Sequence, residues 1–232
     1  MLQELSERLP AQSPNDWSTK WLEADRELNI FLQEDFESAK LFEAQIARAL
    51  VHELPEGAKL FVGNSMPGRD LNTFGGGTHT DLEVWANRGA NGIDGNIATL
   101  MGSASFAPKT PHIALLGDLA TLHDIGSLIQ LAHDATNVTL IIVDNKGGNI
   151  FKHLPISAHE EAFEKRFLTP PDVNVHDLLN RLPIAMQSIS ALDELPRALE
   201  LACTSEECQI VHISVDGNEN FAYHTELVNR VR

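Results

Sequence analysis

The sequence predicts an α/β fold: a three-layer sandwich in which about six mostly parallel strands carry helices on both faces. Three observations predict it. Two apolar runs, His112 to Leu116 and Val138 to Val143, stop at polar turns, Gly117-Asp118 and Asp144-Asn145, as buried strands do. Between them Leu122, Ile125, Leu128, Ile129 and Ala132 recur at helical spacing. The unit is a strand–helix–strand crossover, so its two strands lie parallel. Further strand-like runs alternate with helical stretches on either side.

Residues 1–34 hold Pro10, Pro14 and a helical stretch with Asn15-Asp16 as its cap and Trp17, Trp21, Leu28 and Leu32 along one face. This piece reads as a peripheral helix ahead of a main domain over residues 35–232; its two tryptophans also suit a contact surface. A second helix is expected from Phe36 to Leu54, with Phe42, Ile46, Ala49 and Leu50 on one side, stopped by Pro55. Lys59 to Val62 is the first clear strand and ends at Gly63-Asn64-Ser65. Met66 to Asp81 is polar and glycine-rich and reads as a mobile surface loop; Gly75-Gly76-Gly77-Thr78 has no Gly-Lys-Ser/Thr after it, so a Walker-type phosphate loop is excluded. No Gly-x-Gly-x-x-Gly follows a strand, which removes the dinucleotide fingerprint.

A short strand, Val84-Trp85-Ala86, ends at Asn87-Arg88-Gly89, and Ile93 to Ala104 reads as a helix of small residues. Beyond the central unit, strands are expected at Ala185 to Ile189 and Gln209 to Val215, with helices at Val173 to Leu182, Ala191 to Ala202 and Asn220 to Val231.

Composition bounds the partners. The chain carries 17 Lys plus Arg against 33 Asp plus Glu, a formal charge of −16. Nucleic acid, whose phosphates need a basic face, is excluded, and a free diphosphate needs a bridging cation to approach. Cys203 and Cys208 lack Cys or His neighbours at zinc-like spacing and fit a reduced compartment. There is neither a signal-peptide pattern at the start nor an apolar run of the ~18 residues that span a bilayer, so a cytoplasmic protein is expected.

The chemistry concentrates where the central strands stop. The carboxyl ends of parallel strands open on one crevice, so Asp118 and Asn145 share a rim. A carboxylate, an amide oxygen and free carbonyls of the Lys146-Gly147-Gly148 turn form a hard, oxygen-only set suited to Mg²⁺ with phosphate oxygens completing its shell. Arg69 and Arg88 also follow strand ends, and two guanidinium groups can grip an acidic substrate. A solvated surface ion pair is the plainer use of either. His79, His123, His133 and His153 have no partner readable in the sequence.

These motifs carry a resemblance. Asn145 lies 27 residues after Asp118, and Gly117 precedes the Asp, as in the Gly-Asp-Gly…Asn-Asn signature of the thiamine diphosphate enzymes; Leu119 and Asp144 depart from its commonest form. The departures, with Val62-Gly63-Asn64-Ser65 and Arg69, Asn87 to Gly95, and Gly147-Gly148-Asn149-Ile150-Phe151, resemble the menaquinone-pathway branch, the 2-succinyl-5-enolpyruvyl-6-hydroxy-3-cyclohexene-1-carboxylate synthases (MenD). The resemblance is strong over roughly residues 60–155 and loose elsewhere.

It implies a C-terminal diphosphate-binding domain. Asp118, Asn145 and Gly147 would hold Mg²⁺ or Mn²⁺. Gly117, Leu119 and Ala120 would face the diphosphate, Ile93 would wedge between the cofactor rings, and Ile150 and Phe151 would line the thiazolium wall, Phe151 serving equally well as core. Asn64, Ser65, Arg69 and Arg88, with Ile150 and Phe151, would meet the substrates, 2-oxoglutarate and isochorismate. No catalytic residue is implied in this chain: the activating glutamate belongs to a pyrimidine-binding domain supplied by a partner subunit. A C-terminal fragment, inactive alone and at least dimeric when whole, is therefore expected. An acetolactate synthase or 2-oxoacid decarboxylase type, or a stand-alone cofactor-binding module, are the alternatives.

Overall fold

The computed structural model describes residues 15–38, 40–77, 81–133 and 137–231. Pro10, Pro14, Thr78 and His79 lie outside these residues. The chain divides into two compact units, 1–39 and 40–232.

The described part of the first unit is one helix, α1 (Asp16–Ser38). Asn15 caps it as expected: its Oδ1 accepts from Ser18 N–H, and its own N–H donates to Ser18 Oγ, both at 2.9 Å. Trp17 and Trp21 are exposed, with ring centroids 5.9 Å apart. The helix expected to start at Phe36 is corrected. α1 continues through Ser38, and α2 begins only at Glu43 (Glu43–Glu53).

The second unit is built on six parallel strands: β1 (Lys59–Val62), β2 (Glu83–Trp85), β3 (His112–Gly117), β4 (Val138–Asp144), β5 (Ala185–Ile189) and β6 (Gln209–Ser214). Their order across the sheet is β2-β1-β3-β4-β6-β5. β4 is buried along its whole length and β3 nearly so, which is why both read as unbroken apolar runs. The remaining helices are α3 (Met66–Phe74), α4 (Asn96–Phe106), α5 (Asp118–His123), α6 (Ile125–Leu131), α7 (Glu160–Phe163), α8 (Val175–Leu179), α9 (Leu195–Cys203) and α10 (Gly217–Arg230). Successive strand residues face opposite layers. Phe61, Ala114, Leu116, Leu140, Ile142 and Ile210 join one core with Ile97 and Leu100 of α4, Leu128 and Leu131 of α6, and Val175 and Leu179 of α8. On the other face α3 and α9 contact the sheet, and α2 packs on both.

Three expectations change. Met66 to Phe74 is a helix, not a loop: Pro67 sits in its first turn, where proline's missing N–H costs nothing, and Met66, Asp70 and Phe74 are buried. The crossover helix is broken into α5 and α6 at Asp124, whose Oδ2 accepts the Ile97 and Ala98 N–H groups, so it caps α4 instead of continuing its own helix. α4 itself starts at Asn96 after Gly95 (φ +71°), leaving Ile93 in the preceding turn. At the far end of the chain, Cys203 and Cys208 are free thiols, and burial pushes both up, to about 11 and about 12.

Candidate functional site

β1, β3 and β4 are neighbours in the sheet, so the turns after them, 63–65, 117–120 and 145–148, meet at one end. The chain leaves β1 towards β2 on one side and returns to β3 on the other, the switch point at which parallel sheets open a crevice. A cavity of about 420 Å³ lies there. Every residue that the resemblance assigns to cofactor, metal or substrate lines it: Gly117, Asp118, Leu119, Ala120, Ile93, Asn145, Gly147, Ile150 and Phe151, together with Asn64, Ser65, Arg69 and Arg88. His123 also lines it, whereas His153 borders a neighbouring cavity and His133 is an exposed residue after α6.

Asp118 is 2% exposed. Its Oδ1 accepts from Leu119 N–H at 2.7 Å and its Oδ2 from Gly147 N–H at 2.8 Å, which ties the end of β3 to the loop after β4. Burial is the main cause that pushes its carboxyl up to about 6; the charge of Asp144 adds to it, while the two N–H groups pull it back. Asp144 behaves oppositely. Burial raises it, but hydrogen bonds from His212 and from Lys146 Nζ (2.6 Å) outweigh that and hold it below the ordinary range. The Lys146 grip, with Lys146 itself in the left-handed region at φ +65°, turns the chain sharply so that Gly147 faces Asp118.

The Gly147 carbonyl, expected to be free, accepts from Asn149 N–H at 2.8 Å and Asn149 Nδ2 at 3.3 Å. The same Nδ2 donates to Asn145 Oδ1 at 2.9 Å and to the Asn145 carbonyl at 2.7 Å. Three oxygens thus converge on one donor group. Oxygens gathered this way, beside a buried carboxylate, are the donor set a hard divalent cation takes, and a cation there favours the ionised Asp118. The residues fit the group. Among the described residues no cluster of three His, Cys, Asp or Glu exists, so a thiolate or imidazole site has no support.

The loop is packed too tightly for side chains. A Cβ at Gly147 or Gly148 would strike the backbone oxygens of Leu168 and Phe167. The segment 164–168, a π-helical turn after α7, closes that side and brings Arg166, Phe167 and Thr169 to the cavity, with Phe167 edge-on to Phe151 (centroids 5.5 Å). On the β1 side, Arg88 Nη1 donates to Asn64 Oδ1 at 2.5 Å and Arg69 Nη1 to the Ser65 carbonyl at 2.9 Å; both arginines are largely exposed. Ser65 holds φ +78° and ψ −140°, a strained backbone for a residue with a Cβ.

Sequence reasoning missed Glu43 and Asn149, both buried and both lining the cavity. Asn149 stood within a quoted motif without a role. Glu43 had no signal, because it falls within the helix expected from Phe36 and looks like any solvated acid there.

Over residues 78–213 the chain matches the family described as "Thiamine pyrophosphate enzyme, C-terminal TPP binding domain". The chain belongs to this family. Among curated proteins similar to this thiamine pyrophosphate-binding domain are two 2-succinyl-5-enolpyruvyl-6-hydroxy-3-cyclohexene-1-carboxylate synthases. That of Geobacillus thermodenitrificans is 40% identical over 164 residues, 71% of this chain and 28% of the relative. That of Rubrobacter xylanophilus is 34% identical over 225 residues, 97% of this chain and 39% of the relative. The chain thus spans less than two fifths of the length of these relatives. In fold it is similar to the thiamine diphosphate-dependent 4-hydroxybenzoylformate decarboxylase of Rhodococcus jostii RHA1, with TM-score 0.63 at 16% identity over 77% of this chain and 33% of that one.

Proposed function

We propose that this domain is the diphosphate- and metal-binding half of a synthase that decarboxylates 2-oxoglutarate and adds the resulting succinyl-semialdehyde unit to isochorismate, in menaquinone biosynthesis. The carrying observation is the crevice itself, where Asp118, Asn145 Oδ1 and the Gly147 carbonyl converge between two arginines and an apolar wall. Similarity to the synthases supports the choice of substrates.

In this reading Asp118, Asn145 and Gly147 would hold Mg²⁺ or Mn²⁺, whose charge would offset that of the diphosphate. The cofactor, thiamine diphosphate, supplies the stabilised carbanion chemistry. The chain does the rest by placement. Of the two N–H groups expected to face the diphosphate at the start of α5, that of Leu119 is given to Asp118 Oδ1, which leaves that of Ala120 for the role. Ile93, half-buried in its turn, supports the cofactor's bent shape, and Ile150 and Phe151 exclude water around the reacting carbon. Arg69 and Arg88 take the substrate carboxylates; their exposure leaves guanidinium N–H groups available beyond the bonds to Ser65 and Asn64. With a net charge of −16, the domain needs such local cations to admit dianions. The glutamate that would activate the cofactor would lie on the pyrimidine-binding domain of a partner subunit, so the assembled enzyme would be at least a homodimer. The proposed compartment is the cytoplasm: among the described residues no helix is long and apolar enough to cross a membrane, and both thiols are free.

Calorimetric titration of thiamine diphosphate with Mg²⁺ into the protein and its Asp118→Ala variant tests the site. Binding that requires Mg²⁺ and Asp118 is expected; binding indifferent to both refutes it. Product analysis with 2-oxoglutarate and isochorismate on the assembled enzyme tests the reaction, and an acetolactate-type product refutes the choice of acceptor.

A further inference from the structure

An amide ligand carries an ambiguity that a carboxylate does not. The two ends of the Asn145 side chain are nearly equal in size, yet only the oxygen end binds a cation. Its surroundings must decide which end faces the crevice. On one side Asn145 Nδ2 donates to Glu43 Oε1 at 2.7 Å. On the other, Asn145 Oδ1 shares the donor Asn149 Nδ2 with the Gly147 carbonyl, so the oxygen end lies on the Gly147 side.

Glu43 is an odd residue for its place. It opens α2, where an acid normally stands in water and complements the helix dipole. Here it is 5% exposed and forms no ion pair among the described residues. Burial above all, then the negative charge of Asp70, pushes its carboxyl up to about 8, and the Asn145 hydrogen bond pulls the other way. An apolar side chain of similar size would be at least as stable in such a setting. Beside its hydrogen bond with the Asp70 carboxyl, what the carboxyl does there is accept from Asn145.

Its own position is fixed from several sides. Glu43 N–H donates to Asn220 Oδ1 of α10 at 3.0 Å, and the preceding Phe42 N–H donates to Gln45 Oε1 at 2.6 Å. Asp70 of α3, fully buried beneath, is held by His224 Nε2 at 3.2 Å on its Oδ1. Three helices, α2, α3 and α10, thus converge behind one amide.

We infer that Glu43 is a positioning residue for the metal: it accepts the Asn145 N–H, so that the amide oxygen and not the nitrogen is presented to the cation beside Asp118 and Gly147. The inference rests on the metal site proposed above. It assigns no proton transfer to Glu43 and no contact with the cation.

The test is Mn²⁺ affinity in the presence of thiamine diphosphate, read from the free-ion electron paramagnetic resonance signal, on the full chain and five variants. These are Glu43→Leu, Glu43→Gln, Asn145→Asp, the Asn145→Asp/Glu43→Leu double variant, and Asp118→Ala. Thermal unfolding without metal is followed in parallel. Glu43→Leu is expected to weaken Mn²⁺ binding about 10- to 100-fold, the usual effect of losing a residue that orients a ligand, with no fall in melting temperature. Glu43→Gln, whose Oε1 still accepts from Asn145, stays within about threefold of wild type. Asn145→Asp offers oxygen at both ends, so Glu43→Leu in that background costs less than about threefold. An equal penalty in both backgrounds, or unchanged affinity in Glu43→Leu, overturns the positioning role while Asp118→Ala still marks the site. A tenfold loss in Glu43→Gln also overturns it, independently of whether Glu43→Leu folds. Mn²⁺ binding that survives Asp118→Ala overturns the metal site and the inference together.

Discussion

Replacing Asp118 with Asn removes one titrating group from the metal-free protein and should visibly flatten the dependence of its stability on pH. The carboxyl of Asp118 ionises at about 6 in the fold against 3.8 ordinarily, chiefly because it is buried. That gap is worth about 3 kcal/mol at 1.36 kcal/mol per pH unit. The folded-state value is the higher one, so the folded protein holds the proton longer than the unfolded chain does. Below about pH 4 both states are protonated and nothing is lost. Between about 4 and 6 the unfolded chain sheds its proton first, and stability falls as pH rises. Above about 6 the loss is complete. Urea unfolding of wild type and Asp118→Asn, in chelator from pH 4 to 8, is the assay. The difference between them should shift by about 3 kcal/mol against wild type across that window and then level off. The raised carboxyls of Glu43 and Asp70 remain in both proteins; that of Glu43 is raised chiefly by burial and by Asp70, with Asp118 a lesser contributor that the variant removes. Adding Mg²⁺ with thiamine diphosphate should stabilise wild type alone, since the cation favours the ionised carboxylate. Parallel pH profiles without metal would refute the claim that burial holds the Asp118 carboxyl above its ordinary range.

Gly217→Ala should weaken Mg²⁺-dependent cofactor binding at least tenfold and cost about 1–3 kcal/mol, because the added Cβ would lie 2.5 Å from Asn149 Oδ1, 2.7 Å from its Nδ2 and 2.8 Å from the Asn145 carbonyl; calorimetry and melting temperature check the two effects. Ser65→Gly should raise the melting temperature by relieving a backbone that costs about 1–3 kcal/mol, as the Ser65 side chain makes no cap bond to lose. Arg88→Ala should reduce 2-oxoglutarate or isochorismate affinity roughly tenfold or more, the worth of a charge-assisted pair, and leave Mg²⁺-dependent thiamine diphosphate binding unchanged, as titration of each ligand separately will report.

How much of this was readable before the fold depended on where each signal lives. Asp118 and Asn145 were legible because adjacent parallel strands put their ends together whatever the loops do, and an apolar run followed by a polar turn marks a strand end locally. Ile93, Arg69 and Arg88 followed from their motifs. The helix at Met66 to Phe74 was hidden by its polar face and by the glycines that follow it. Its proline is a start signal rather than a breaker, and Asp70 gives no hint in sequence that it is buried. The break at Asp124 was invisible for a different reason. Helical spacing runs through it, but its carboxylate serves the N–H groups of a helix 26 and 27 residues upstream. Glu43 and Gly217 are harder still, since what makes them matter is contact with Asn145 and Asn149, more than 60 residues away in either direction.

The bond from Glu43 N–H to Asn220 spans 177 residues, and it joins the two ends of the second unit behind the site. β3 and β4 are joined by a crossover over residues 118–137 alone, so the strand ends bearing Asp118 and Asn145 are brought together by a local stretch of chain. The amide of Asn145 is steadied only when α2 and α10 have both docked, bringing Glu43 to one end of it and Gly217 against its neighbour Asn149. In the proposed reading, a partly folded chain would hold Asp118 and Asn145 and still bind the cation poorly, so tight binding would report that both ends of the second unit are in place.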